Sequence, residues 1–357
     1  MIFTKRDLVF FFVLVEVSLG FLVFLTQDDF LYDQDLVQIK QMTERQIDTQ
    51  SNDIGMKEPY YEQTIKGVYT NGKRLGKEVT LRHERTYSSV VTERYRVGDK
   101  VFVKDHTIQG LKRDQYVGFL IVLFVLAIFL VGRLKGLAAI FSVVVNTVLF
   151  YMGLSLYFNG LNLIVLCIVE SIFFTVFSLL VTNGWNRKTL VAIVSVFLST
   201  LLLLVLTFLV IKMTHYQGIS FNDMSFLTRP YEDIFLAELM IGGLGAIMDI
   251  CITMSSSLSE LIAKDSTIST KALIQSGKEI GKDIMGTMTN VLFFTYLCSG
   301  LPLFVLAIRN GFTIYNYITT SFSLELTRFL VGSIGIVLAI PISLLVALRF
   351  LKRGESV

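Results

Sequence analysis

Charge is scarce in this sequence. Asp, Glu, Lys and Arg make up 17% of its 357 residues, against about 25% in an ordinary soluble chain. That is too few to keep a water-facing surface wet, which disfavours a soluble enzyme, a nucleic-acid binder and a disordered chain alike. A formal net charge of +3 is too small to imply an anionic partner. Histidine is scarcer still: His83, His106 and His215 lie far apart and no pair has metal-ligand spacing, so no metal and no other cofactor is expected. Cys167, Cys251 and Cys298 all fall inside apolar stretches, where cysteine acts as a small hydrophobe and no disulfide framework arises. A Gly-x-x-x-x-Gly-Lys-Ser/Thr run is also missing. Energy for any transport would therefore come from an ion gradient or a partner.

Apolar residues, 53% of the total, are abundant and arrive in long blocks. About 20 such residues cross roughly 30 Å of hydrocarbon. Eight blocks qualify: Leu8–Leu25, Val117–Gly132, Leu137–Tyr157, Leu161–Val181, Leu190–Ile211, Phe235–Leu258, Ile284–Ile308 and Leu326–Leu348. The first follows Lys5 and Arg6 but is succeeded by Thr26-Gln-Asp-Asp-Phe30, with no small-residue cleavage site, and reads as an uncleaved anchor. With a cytoplasmic N-terminus, thirteen Lys and Arg residues fall in inside segments, Arg133, Arg187, Lys264 and Arg353 among them. The short outside segments and span ends hold only Lys212, Arg229, Arg309 and Arg328. The excess places both termini in the cytoplasm. The expected architecture is an α-helical polytopic membrane protein with eight transmembrane helices: an N-terminal anchor (1–26), an extracytoplasmic domain (27–115), a seven-helix domain (116–350) and a cytoplasmic tail (351–357).

The segment 27–115 holds 15 basic and 15 acidic residues. Its first part suggests a short helix around Asp35–Ile47. From about residue 60 the pattern becomes strand-like: Gln63–Tyr69, a turn at Asn71-Gly72, Lys77–Leu81, then Tyr95–Val103 around a Gly-Asp turn. A small β-barrel or sandwich is expected.

One span carries a polar stripe. Glu238, Gly242, Gly245, Asp249, Thr253, Ser256 and Glu260 recur at spacings of 4, 3, 4, 4, 3 and 4, which puts them on one helical face. In the next span Asp283, Gly286, Thr287 and Asn290 share a face likewise. The glycines Gly242, Gly245 and Gly286 suit close helix packing, and the two faces are expected to pack together. Asp249, deep in its apolar block, is a candidate for ion or proton binding, or else a neutral hydrogen-bonding group. Glu16 and Glu170 are secondary candidates that could pair with Asn146 or line the same cavity. Between the two spans, Ser259–Lys282 reads as a charged surface helix with Ser269 as a cap. Pro302 and Pro341 are expected to kink the last two spans.

Gly242-Gly-Leu-Gly-Ala-Ile-Met-Asp249, Ser255–Ser257, Glu260-Leu261 and Gly281-Lys-Asp-Ile-Met-Gly-Thr-Met-Thr-Asn290 together resemble the YibE/F-like family of bacterial multipass membrane proteins. The resemblance extends to Tyr95–Val101 and Gly184–Leu190 and covers nearly the whole chain. Gly243 and Cys251 depart from the family's usual residues. The resemblance implies a plasma-membrane location and a related membrane protein encoded nearby, but no activity. A fainter likeness links Gly245-x-x-x-Asp249 to proton-driven permeases of the RND type.

Two functions follow from these features. A secondary transporter would use Asp249 as its coupling carboxylate, with Thr253, Ser256, Thr287 and Asn290 as cavity polar groups. A non-transporting scaffold, assembly factor or sensor would bind a partner through its outer domain; a homo-oligomer fits either reading. An intramembrane aspartyl protease would need Gly-x-Gly-Asp, whereas Gly245 is followed by Ala-Ile-Met, so no enzyme is expected.

Overall fold

The computed structural model describes residues 5–51, 57–87, 92–214, 220–221 and 231–352. His215, Arg229 and Arg353 lie outside them. The chain forms two compact units, Met1–Leu137 and Ala138–Val357.

The first unit begins with helix α1 (Lys5–Gln27) and a short 3-10 turn, Asp28–Leu31. Five strands follow: β1 (Asp35–Ser51), β2 (Lys57–Tyr69), β3 (Glu78–Thr86), β4 (Lys100–Lys104) and β5 (Thr107–Leu111). They form one antiparallel sheet in the order β3-β2-β1-β4-β5. Its edges β3 and β5 approach each other, curling the sheet toward a partly open five-stranded barrel. The short helix expected over Asp35–Ile47 is instead part of β1, and the β-rich region starts at 35 rather than about 60. Position explains this: Val37 lies opposite Tyr69 of β2 and Val101 of β4 at once, so β1 is the central strand. Leu36, Val37 and Ile39 have no exposed surface. A helix there would leave two strands unpaired and this core open. Gly67 is required where β2 crosses β1, since a Cβ would stand 2.7 Å from the Gln38 carbonyl oxygen.

Asn71, expected as a turn residue, has a larger role. Its side-chain amide donates to the carbonyls of Asp29 (3.0 Å), Tyr32 (3.0 Å) and Gln34 (2.9 Å), and its oxygen accepts from the Leu36 amide at 2.7 Å. It thereby fixes the link between α1 and β1.

Helix α2 (Asp114–Phe158) joins the second and third apolar blocks, and among the described residues seven helices are long and apolar enough to cross a membrane. The join is not a straight rod. Arg133 leaves helical geometry at φ 50° and ψ −135°, dividing α2 into two arms. Just beyond, a Cβ on Gly136 would lie 2.7 Å from the Ile128 carbonyl oxygen, so only glycine lets the chain fold back there. The first arm runs alongside α1. Asp7 pairs with Arg133 at 3.2 Å, Phe11 stacks on Phe129, and Gly118 receives Leu25.

The second unit contains the second arm of α2, then α3 (Leu163–Asn183), α4 (Arg187–Thr214), α5 (Tyr231–Lys264), α6 (Thr270–Arg309), α7 (Ile314–Thr320) and α8 (Phe322–Ala347). Its largest core cluster is built by α4, α5, α6 and α8, with Leu203, Ile247, Met254, Leu292 and Ile336 at its centre. The outward side chains are apolar: Ile172, Phe173, Phe197, Leu201 and Val205 are exposed, while Ser171, Thr175, Ser178, Ser195 and Ser199 are buried. That inversion is what hydrocarbon imposes, because lipid cannot satisfy hydroxyls.

The charged stretch Ser259–Lys282 is not a separate surface helix. Its start prolongs α5 to Lys264 and its end opens α6, where Ser269 does cap, accepting from the Ala272 amide at 3.1 Å. At 40 residues α6 is about 60 Å long, roughly twice the hydrocarbon thickness. Pro302 lies inside α6 and Pro341 inside α8.

Candidate functional site

The α5 stripe forms the expected single face, most of which the described helices leave open. Glu238, Gly242, Gly245, Asp249 and Glu260 are exposed, and Thr253 and Ser256 half-buried. On α6, Asp283, Gly286, Thr287 and Asn290 are exposed as well. A Cβ on Gly245 or Gly286 would meet nothing within 4 Å, so neither glycine seats a neighbouring helix of this chain. Of the three, only Gly242 faces a described side chain: a Cβ there would stand 2.7 Å from the Tyr296 hydroxyl. The close packing expected of the stripe is provided elsewhere, by Gly277 against Leu258 and Leu344 and by Gly281 against Ile340. The reason is geometric. Ile247, Ile250, Met254 and Leu258 form a stronger apolar face than the glycines do, and that face enters the core.

α6 runs antiparallel to α5, with Tyr296 beside Gly242 and Gly277 beside Met254 and Leu258. Interpolating between these contacts sets Asp249 level with Gly286 and Thr287. The side chains of Asp249, Asp283 and Asn290 make no hydrogen bond or ion pair with any described residue. The hydroxyls of Thr253 and Thr287 turn back to carbonyls of their own helices. Ser255, not Ser256, makes an inter-helix bond, to the Lys188 carbonyl at 3.0 Å.

Glu238 stands apart from the rest of the stripe. It pairs with Arg328 of α8, which also binds Glu325 at 2.7 Å. Arg328 has only 14% of its side chain exposed, so one guanidinium is shared by two carboxylates at a half-buried position. Orientation counting treats Arg328 merely as an outside charge. The signal that reveals its role is an acid three residues before an arginine within an apolar run.

A second set of polar groups lies inside the bundle. Where the second arm of α2 meets α3, Ser142 donates to Ser178 at 2.8 Å, and so does the Asn146 side-chain amide, also at 2.8 Å. Asn146 therefore pairs with Ser178 and not with Glu170. Glu170 itself is 9% exposed and its carboxyl lies directly on Gly153 of α2, where a Cβ would stand 2.6 Å from Cδ. Its Oε1 has no hydrogen-bond partner, nor have Asn146 Oδ1 and the hydroxyls of Ser171, Ser199 and Thr200. Ser171, Thr175 and Thr200 open onto an apolar groove of about 290 Å³ between α3, α4 and α5. Glu16, the other secondary candidate, is exposed on α1.

The sheet unit carries its own charged centre. Lys112 is buried and binds Asp28, Asp29 (3.3 Å), Asp114 (3.0 Å) and the Leu25 carbonyl (3.1 Å). Lys100 binds Asp29 at 2.6 Å and the Thr26 carbonyl at 2.8 Å. Burial alone would lower the Lys112 pKa, but hydrogen bonds to Asp28 and Asp114 outweigh it and raise the value. At the far end of the sheet Arg85 pairs with Glu44 and lies 4.5 Å from the centre of the Tyr61 ring. That hydrogen bond holds the Glu44 carboxyl below the usual carboxylate range. Burial pushes the Tyr95 hydroxyl up to about 12.

Residues 120–353 match the family model described as YibE/F-like protein, and residues 30–114 match the YibE/F family N-terminal domain. No curated protein and no solved structure matches this chain.

Proposed function

This chain belongs to the YibE/F-like family, and from that footing we propose that it is a permease-like protein of the bacterial plasma membrane. In this reading it is a secondary transporter, not an enzyme, coupled to an ion through Asp249. Arg133 separates two crossings, which makes eight in all. Both termini are cytoplasmic and 27–115 faces outward. One observation carries the reading: Asp249, Asp283, Thr287 and Asn290 lie on exposed faces of apolar helices. Leaving a carboxylate against lipid costs a few kcal/mol, so this surface meets protein or water rather than acyl chains. It lines the substrate path where the chain docks on a second copy or on the related membrane protein encoded nearby.

The second reading is a non-transporting scaffold, assembly factor or sensor. It is favoured by the sheet unit, which has a hydrophobic core of its own and in this reading would hold the partner. The two separate in one measurement: thermal stability of the purified protein in detergent against pH, with and without sodium, for wild type and Asp249→Asn. A sodium- or pH-linked shift that vanishes in the variant supports coupling through Asp249. Superimposable curves sink that role and leave the partner-binding reading.

A further inference from the structure

Among the carboxyls in membrane-spanning helices, Glu170 has surroundings unlike those of the polar stripe. Asp249 and Asp283 face outward and Glu238 has Arg328, whereas Glu170 is enclosed. It is nine-tenths buried, Oε1 has no partner, and no Lys, Arg or His of the described residues is within ion-pair distance of it. Burying a fixed carboxylate without a cation is among the costliest arrangements a protein interior can hold. A hydrophobic residue would pack there at no such cost.

The elements around it narrow the chemistry. On α3 the nearest titratable group is the Cys167 thiol, itself buried one turn away. The facing arm of α2 presents the bare backbone of Gly153. Its Asn146 amide lies two turns along the helix, and Tyr157 one turn the other way. From α5, Ala237, Met240 and Ile241 pack around Cys167. Asp233 and Glu238, the acids nearest to them in the α5 sequence, lie on more open positions of that helix. Too few oxygens converge on Glu170 to replace the hydration shell of a metal cation. A proton needs one.

We propose that Glu170 is a proton-binding site of this protein, taking the proton on Oε1 from water that enters along the α2–α3 seam. The seam is suited to conducting it. From Glu170 toward the Asn183 end of α3, the Ser178 hydroxyl is met by Ser142 and Asn146, and Thr182 follows one turn later. Asn146 Oδ1 is a further unpartnered acceptor within that line. Protonation removes the charge and leaves a neutral acid that fits against Gly153. Deprotonation creates an unpaired anion between two helices and drives them apart. The inference deepens the permease reading by adding to Asp249 a second ion-binding carboxyl, one that takes a proton, and it rests on that reading only for a role in coupling.

The test is infrared difference spectroscopy of the whole protein in liposomes between acidic and alkaline buffer, the probe being the proton itself. A protonated-carboxyl C=O band should appear in wild type and in Asp249→Asn, be missing from Glu170→Gln, and move in frequency in Glu170→Asp. The last variant keeps a carboxyl and guards against a misfolded glutamine variant. A band unchanged in Glu170→Gln, or no pH-dependent carboxyl band at all, overturns the proposal. Proton uptake into the same liposomes, followed with a trapped pH dye, tests the permease reading separately. A Glu170 band without uptake keeps the site and removes transport; uptake undiminished in Glu170→Gln keeps transport and removes the coupling role.

Discussion

Gly153 and Glu170 meet so closely that the pair can be tested by a change of a single methyl. In Gly153→Ala the new Cβ would stand 2.6 Å from Glu170 Cδ, about 1 Å inside the roughly 3.5–4.0 Å of best carbon–carbon contact. Because the carboxyl is enclosed, it cannot swing freely aside, so either the α2 arm or α3 must yield. Overpacking of this kind costs about 1–3 kcal/mol, and alanine returns up to ~1 kcal/mol of helix propensity relative to glycine. A net loss of about 1–2 kcal/mol is expected. Removing the obstacle reverses the sign. With Glu170→Ala already in place, Gly153→Ala fills space and should stabilise by up to ~1 kcal/mol. The double-mutant cycle therefore carries a coupling of roughly 2 kcal/mol, well within the range for residues in direct contact. Denaturation by SDS in mixed micelles, followed by circular dichroism, gives all four corners of the cycle. If Gly153→Ala has the same effect with and without Glu170, the two side chains do not share that space, and the enclosed carboxyl loses its main geometric support.

Two further outcomes follow from the sheet unit. Lys112→Met leaves the buried Asp28 and the half-buried Asp114 without their cation, and breaking such a cluster typically costs about 3–5 kcal/mol. Limited proteolysis of the intact protein should then cut near Asp28 and Asp114, and an unchanged cleavage pattern would refute the role. Glu44 has a depressed folded pKa. Its contribution is present above the ordinary carboxylate value and lost as pH falls through the depressed one. Glu44→Gln should therefore flatten the acid side of the sheet unit's hydrogen-exchange protection against pH, and a profile parallel to wild type would show that Arg85 does not hold it.

Much of the architecture can be read from the sequence, because bilayer thickness acts on composition directly. All eight apolar blocks lie in helices apart from Leu161 and Asn162; Gln63–Tyr69 lies in β2 and Glu78–Leu81 in β3, while of Tyr95–Val103 only Lys100–Val103 is strand, in β4. β1 is less legible. Its polar outer half (Thr43–Ser51) masks the short run Leu36-Val-x-Ile39, whose burial depends on strands up to 66 residues away. The join at Arg133 is hidden for a different reason, since a single residue breaks the helix where a loop would be expected. The stripe on α5 has the expected period, but period says only that residues share a face, not which face the core takes. Competition with Ile247, Ile250 and Met254 decides that. The Glu170–Gly153 contact is the least legible, since it joins residues on different helices with no common pattern.

Lys112 and Asp28 are separated by 84 positions in the chain, and that spacing orders events during synthesis. α1 leaves the ribosome long before its terminal aspartates have a cation to neutralise them. Every strand must be made first, and the bond that ties the ends of α1 and α2 closes last. Closing a loop of this length costs about 4 kcal/mol of chain entropy, a sum that an unfolded intervening segment would have to meet from one ion cluster alone. Once the strands have paired, most of that entropy is already spent, and the lysine finds its acids within reach. The cluster is thus a bond that the paired strands make cheap to close.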